Sequence, residues 1–113
     1  MHDTYSEKKE ERVIDFSLTE EQTALRDMAH EFAAKEMRPN AAKYDEGNEF
    51  PNEIIQKAFE VGFTTCEIPK EYGGGNLSHL DTIIISEELA WGCAGMYTTI
   101  MASSLAFTPI ILF

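Results

Sequence analysis

Several side chains here are of the kinds that carry out chemistry, and their spacing limits what each could do. Glu87 and Glu88 stand side by side in an otherwise apolar stretch, where a carboxylate would act as a base only if its surroundings perturbed it. The neighbouring sequence offers no such perturbation. One of the pair is expected to meet a base or water, and neither is assigned to catalysis; Asp27, Glu31 and Glu36 are likewise read as solvated helical carboxylates. His30 and His79 lack a second ligand at metal spacing, which points to surface or capping roles and to no metal site. Cys66 and Cys93 have neither Cys-x-x-Cys spacing nor paired histidines nearby, so they are read as reduced thiols buried in apolar sequence. Gly73, Gly74 and Gly75 invite comparison with phosphate-cradling loops. A dinucleotide fingerprint needs a strand before it and a helix immediately after, and a triphosphate loop needs Lys-Ser or Lys-Thr; neither is present. The glycines are expected instead to permit positive φ and close approach of helices.

The charge pattern narrows the partners. Twenty acidic and nine basic side chains give a formal charge of −11 over 113 residues, which opposes nucleic acid and anionic lipid, since both are bound by clustered Lys and Arg. The same sign disfavours a phosphate-rich ligand resting on this surface. Every charged side chain lies within the first 88 residues, and Leu89 to Phe113 has none. That run is long enough to span a bilayer. Eight of its 25 residues are Gly, Ser, Thr or Pro and no Lys or Arg flanks it, so burial within protein is the preferred reading over a membrane span.

The elements that position these residues follow from caps and apolar spacing. Thr19 with Gln22 is a capping box, and Leu25, Met28, Ala29, Phe32, Ala33 and Met37 form one helical stripe that Pro39 is expected to end. Pro51 suits the first turn of a second helix, with Ile54, Ile55, Ala58 and Phe59 facing a core and Gly62 as a left-handed stop. Ser78 with Asp81 caps a third helix, and Leu80, Ile83, Ile84, Ile85 and Leu89 leave it apolar on more than one side. It should therefore be covered from two directions, with Trp91 as a core anchor at its end. After a turn at Gly92 to Gly95 a fourth helix is expected from about Met96 to Phe107, and Pro109 fits the start of a fifth. No strand alternation or repeat is visible, so the fold class is all-α, an up-and-down or orthogonal bundle of about four to five helices. The first residues, Met1 to Arg12, mix both charge signs without an apolar stretch and are neither secretory signal nor transit peptide, so 1–15 is read as a disordered acidic and basic leader.

One long block and three shorter segments upstream carry a family resemblance. Ile68 to Gly75 reads Ile-Pro-Lys-Glu-Tyr-Gly-Gly-Gly, followed by Asn-Leu-Ser-His-Leu-Asp and then Ser-Glu-Glu-Leu-Ala-Trp-Gly-Cys-Ala-Gly up to Gly95. Upstream stand Leu-Thr-Glu-Glu-Gln at 18–22, Phe-Pro-Asn-Glu-Ile-Ile at 50–55 and Lys-Ala-Phe-Glu-Val-Gly-Phe at 57–63. From about Phe16 to Phe113 the chain resembles the amino-terminal helical domain of the FAD-dependent acyl-CoA dehydrogenases, the straight-chain medium- and short-chain members in particular. Members run to several hundred residues. The resemblance therefore implies that residues 16–113 are one domain of three, cut short at the carboxyl-terminal side, with no activity of its own.

The same resemblance implies roles. Members remove the α proton of an acyl thioester with a carboxylate while the β carbon gives hydride to FAD, yielding a trans-2-enoyl-CoA. Tyr97, Thr98, Met101 and Leu105 match positions lining the acyl cavity, although the same stripe would serve as ordinary core. Each methylene sheltered there is worth about 0.8 kcal/mol, so Met101→Glu is expected to penalise long chains. Leu25, Phe63 and Ile85 match positions around a recess that receives the electron-transferring flavoprotein, while Gly75 departs from it, and plain core is the competing reading. No position matches the catalytic base or a flavin contact, which in the family come from the other domains and a neighbouring subunit. Implied partners are acyl-CoA, the flavoprotein, the remaining domains and a homotetramer, in a bacterial cytoplasm or a mitochondrial matrix. The rival functions are a small helical module anchored by Leu89 to Phe113 and a free-standing interaction domain, which would leave a broad apolar surface open.

Overall fold

A computed structural model describes residues 14–113, so all but the last two residues of the expected leader lie outside the described residues. The described chain is helical throughout, as the caps and stripes predict. Helix α1 spans Glu20–Phe32, α2 Ala41–Gly47, α3 Asn52–Glu60, α4 His79–Gly92, α5 Ala94–Met101 and α6 Ser104–Leu112. Short 3-10 turns at Phe63–Thr65 and Lys70–Tyr72 punctuate the link between α3 and α4.

Both expected capping boxes form, and they are joined to each other. Thr19 Oγ1 accepts from the Gln22 backbone and Gln22 Oε1 from the Thr19 backbone; Ser78 and Asp81 repeat the exchange. Gln22 Nε2 then donates to Asp81 Oδ1 at 3.1 Å. This aligns the first turns of α1 and α4. Further along, His30 meets Glu88 and Gly92 lies against Ala33, so the two helices run side by side in the same direction and in register. A Cβ at Gly92 would stand 2.7 Å from that of Ala33, and only the missing side chain allows the approach.

Buried Ala29, Ala33 and Met37 from α1 and its extension meet Ile85 and Leu89 of α4, with Ile54 and Ala58 of α3, Phe63 and Cys66 of the link, and Met96, Ile100 and Met101 of α5. Phe32 packs edge-on against Phe63, ring centroids 5.3 Å apart. Small residues where helices approach and large ones between them fill this core.

Five expectations are corrected. Pro39 does not end the first helix. The chain passes through a π turn at Ala33–Met37 and a 3-10 turn at Arg38–Asn40 into α2, because Pro39 sits in the first residues of the 3-10 turn, where its missing N–H is not needed. Asn48, at φ 51, closes α2, and Gly62, at φ 90, is the left-handed stop expected after α3. Pro109 lies inside α6 rather than at its start. The break falls earlier, at residues 102–103, and it divides the expected fourth helix into α5 and α6. Nor is α4 covered from both directions, since Leu80 and Ile83 face outward. Phe59, expected on the core face of α3, is also exposed.

Candidate functional site

Two surfaces hold the residues that the sequence singled out. The first is a recess of about 320 Å³ between α1, the 61–66 segment, the glycine loop and α4. Leu25, Phe63 and Ile85, three residues far apart in the chain, line it together with Gly75. Phe63 and Ile85 are buried at its base, Leu25 is half-buried and Met28 stands exposed beside it.

The glycine loop forms one wall of this recess with its backbone. The N–H groups of Gly73, Gly74 and Gly75 donate to the carbonyls of Lys70, Pro69 and Thr65, and those of Asn76 and Leu77 to Ile68 and Cys66. Since every glycine N–H is already engaged, the loop has no donors left for a phosphate. Of the three loop glycines only Gly73 has positive φ, at 85°, with Asn76 at 54° closing the loop. At Gly74 a Cβ would fall 2.0 Å from the Ile68 carbonyl oxygen, so the close approach is between two loop backbones and not between helices. Of the nearby cations, Arg26 pairs with Asp27, Lys35 with Glu31 and Lys57 with Glu36. The glycine backbone itself therefore does not fit the diphosphate of a dinucleotide.

The second surface is the outer side of α5 and α6. Met101 is 7% exposed and joins the core, and Tyr97 packs half-buried beside it. Thr98 is exposed, its hydroxyl donating to the Ala94 carbonyl at 2.9 Å, and Leu105, across the break at 102–103, is 81% exposed. The four follow one side of the chain but do not enclose a slot by themselves. Sequence reasoning missed a larger groove of about 560 Å³, where Ile68, Pro69 and Tyr72 face Phe107, Ile110 and Ile111 across Glu71. Its only signal was the apolar run after Phe107. By length and composition, Ala94–Leu112 would also suffice to cross a membrane.

The remaining candidates are tied up locally. Glu88 Oε2 accepts from the His30 Nδ1–H at 2.7 Å, while Glu87 faces water. His30 stacks on Trp91 with ring centroids 4.4 Å apart, and the Arg38 guanidinium lies 4.3 Å from the same ring. Trp91 is thus not the buried anchor expected; it is half-exposed, held at the surface by stacking and cation–π attraction. His79 Nδ1 lies 2.7 Å from Glu67 Oε1. Both cysteines are free, Cys66 buried and Cys93 partly so. Burial, followed by the nearby Glu67 charge, pushes the Cys66 thiol up to about 11, which makes it a poor nucleophile.

Residues 19–113 match the family described as acyl-CoA dehydrogenase, N-terminal domain. A probable medium-chain specific acyl-CoA dehydrogenase 2, mitochondrial, of Caenorhabditis briggsae is 41% identical over 99 residues, 88% of this chain and 24% of that protein. The mitochondrial isobutyryl-CoA dehydrogenase of Bos taurus is 43% identical over 76 residues, 67% of this chain and 18% of its own length. Among solved structures, butyryl-CoA dehydrogenase of Megasphaera elsdenii superposes with a TM-score of 0.68 at 30% identity, covering 77% of this chain and 24% of that one. A chain from the structure of the electron transferring flavoprotein of Acidaminococcus fermentans gives 0.63 at 41% identity, covering 67% and 20%. The chain thus spans about a quarter of the length of these relatives. With its sequence match running through all six helices, the chain belongs to the acyl-CoA dehydrogenase family, as its amino-terminal helical domain.

Proposed function

We propose that residues 16–113 form the amino-terminal wall of an enzyme that dehydrogenates fatty acyl-CoA to trans-2-enoyl-CoA, with the family's other domains completing the site. FAD, held by those other parts, supplies the hydride acceptor. The task of this chain is to shelter and orient the acyl chain: Met101 and Tyr97 give a fixed floor anchored in the core, and Thr98 and Leu105 present the outward edge. Excluding water from that wall strengthens every electrostatic interaction that the base and the thioester make in the reacting state. The observation that carries this reading is the chargeless outer side of α5 and α6, left open in a domain that otherwise closes a proper core. A family member would cover such a surface with its partner domains and its substrate. The same assignment reads Ala94–Leu112 as a domain wall and not as a membrane anchor, in a homotetramer of the bacterial cytoplasm or the mitochondrial matrix.

The recess of Leu25, Phe63 and Ile85 is assigned to an electron-transferring flavoprotein. Its three walls come from distant segments, and its floor is apolar, which suits one inserted hydrophobic side chain. The test is to exchange this chain for the amino-terminal domain of the Megasphaera butyryl-CoA dehydrogenase and assay saturated acyl-CoAs of increasing length. Leu105 is the better probe than Met101, because a charge placed at a 7% exposed core position would damage the fold itself. Leu105→Glu should lower kcat/KM for long chains by about tenfold, the equivalent of losing the shelter of roughly two methylenes. An unchanged chain-length profile would refute the acyl-wall assignment. For the recess, Leu25→Asp should abolish flavoprotein-dependent turnover and spare dye-dependent turnover; parallel loss of both would return Leu25 to the core.

A further inference from the structure

Helix α6 has no buried residue, and two cavities separate it from the rest of the domain. One of about 140 Å³ lies among Leu77, His79, Ile111 and Leu112, and the other is the 560 Å³ groove of Tyr72, Phe107 and Ile110. Glu67, whose side chain is 15% exposed, lines the smaller one together with Thr108. Its Oε1 lies 2.7 Å from His79 Nδ1, in the first turn of α4. Its Oε2 lies 3.3 Å from the Thr108 hydroxyl on α6. That hydroxyl is also 3.1 Å from the Ser104 carbonyl, so its single proton is shared between the two acceptors. Pro109 supplies no N–H to α6, and at residues 102–103 the backbone stays helical but the bonds tighten to the 3-10 pattern, Leu105 N–H to Ala102 and Ala106 N–H to Ser103, which makes this junction the weak point of the run.

We infer that Glu67 is a positioning residue: its carboxylate bridges His79 and Thr108 and thereby docks α6, which would otherwise swing about residues 102–103. The inference draws on the acyl-wall reading only for its consequence, namely that Glu67 would set where Leu105 stands. The docking itself needs no substrate. With few apolar contacts to hold α6, a single bridged carboxylate decides its local opening equilibrium.

Hydrogen exchange followed by mass spectrometry on the whole chain tests this without acyl-CoA, so its outcome is independent of the enzymatic assignment. Thr108→Val and Glu67→Ala should each speed exchange in residues 105–113 about fivefold, the ratio expected for one ordinary hydrogen bond, with α1 and α4 unchanged. Glu67→Ala leaves the Thr108–Ser104 contact in place, so a shared response assigns the effect to the bridge. Thr108→Ser should restore the slow exchange. The inference is overturned if α6 in the unaltered chain exchanges like an unstructured peptide, if Thr108→Val leaves it unchanged, or if either variant speeds α1, α4 and α6 alike.

Discussion

Gly92→Ala and Gly95→Ala should move stability in opposite directions, although the two glycines lie three residues apart. At Gly92 a new Cβ would stand 2.7 Å from the Ala33 Cβ and 3.1 Å from the Met37 Cβ, whereas carbon atoms prefer about 3.5–4.0 Å. The α1–α4 pair would have to part by roughly 1 Å along its most closely packed stretch. Overpacking of this kind costs about 1–3 kcal/mol. Alanine returns at most about 1 kcal/mol of helix propensity, and less at the last residue of a helix. The net is a loss of roughly 1–2 kcal/mol, which lowers Tm by about 5–15 °C in a domain of this size. At Gly95 nothing lies within 4 Å, so alanine should add about 0.5–1 kcal/mol through the unfolded chain alone. Urea denaturation followed by circular dichroism reads both, with an unchanged m-value showing that stability and not compactness has altered. Adding Ala33→Gly to Gly92→Ala should recover part of the loss, because the Met37 contact remains. Shifts of the same sign at both glycines, or a neutral Gly92→Ala, would refute the account of the helix approach.

Other outcomes follow from the caps, the thiols and the core. The Gln22 amide, followed by Ser78, holds the Asp81 carboxyl below its ordinary 3.8. Its contribution to stability is therefore complete above that value and is lost as pH falls through the lowered pKa; Asp81→Asn should flatten this acid limb in urea midpoints taken down to about pH 2.5. Ser78→Ala should cost about 1 kcal/mol at neutral pH, read as a lower urea midpoint. The Cys66 thiol, raised from 9.0 to about 11, favours the folded state fully below 9.0, and this preference drains away as pH climbs from there towards 11. Timed alkylation at neutral pH with mass spectrometry should label Cys93 first, and Cys66 only at the rate at which the domain opens.

What could be read from the residues alone was whatever is settled within a few positions. Thr19 with Gln22 and Ser78 with Asp81 marked two helix starts because a capping box is a local exchange of hydrogen bonds. Gly62 marked a stop for the same reason. The proline rules failed where context decides: Pro39 lies in a 3-10 turn that leads into α2, and Pro109 sits within an exposed helix whose carbonyls can turn to water. Trp91 was misplaced because its partners, His30 and Arg38, come from α1 and its extension. The recess was legible as three matching positions, but its shape was not, since only the packing of α1 beside α4 brings Leu25 to Ile85. Glu67 gave no signal at all. Its neighbours His79 and Thr108 are 12 and 41 residues away.

A wall built of main chain has a consequence for how such a hollow can change over time. No side chain fits at Gly74, where even a methyl would collide with the Ile68 carbonyl, and one at Gly75 would press on the Cys66 carbonyl at 2.9 Å. That side is frozen by its own hydrogen bonds. Variation in depth or contour has to enter from the helical side, through Leu25, Met28 and Ile85, or at Gly75, so a changed occupant would leave its trace there while Gly74 stays as it is.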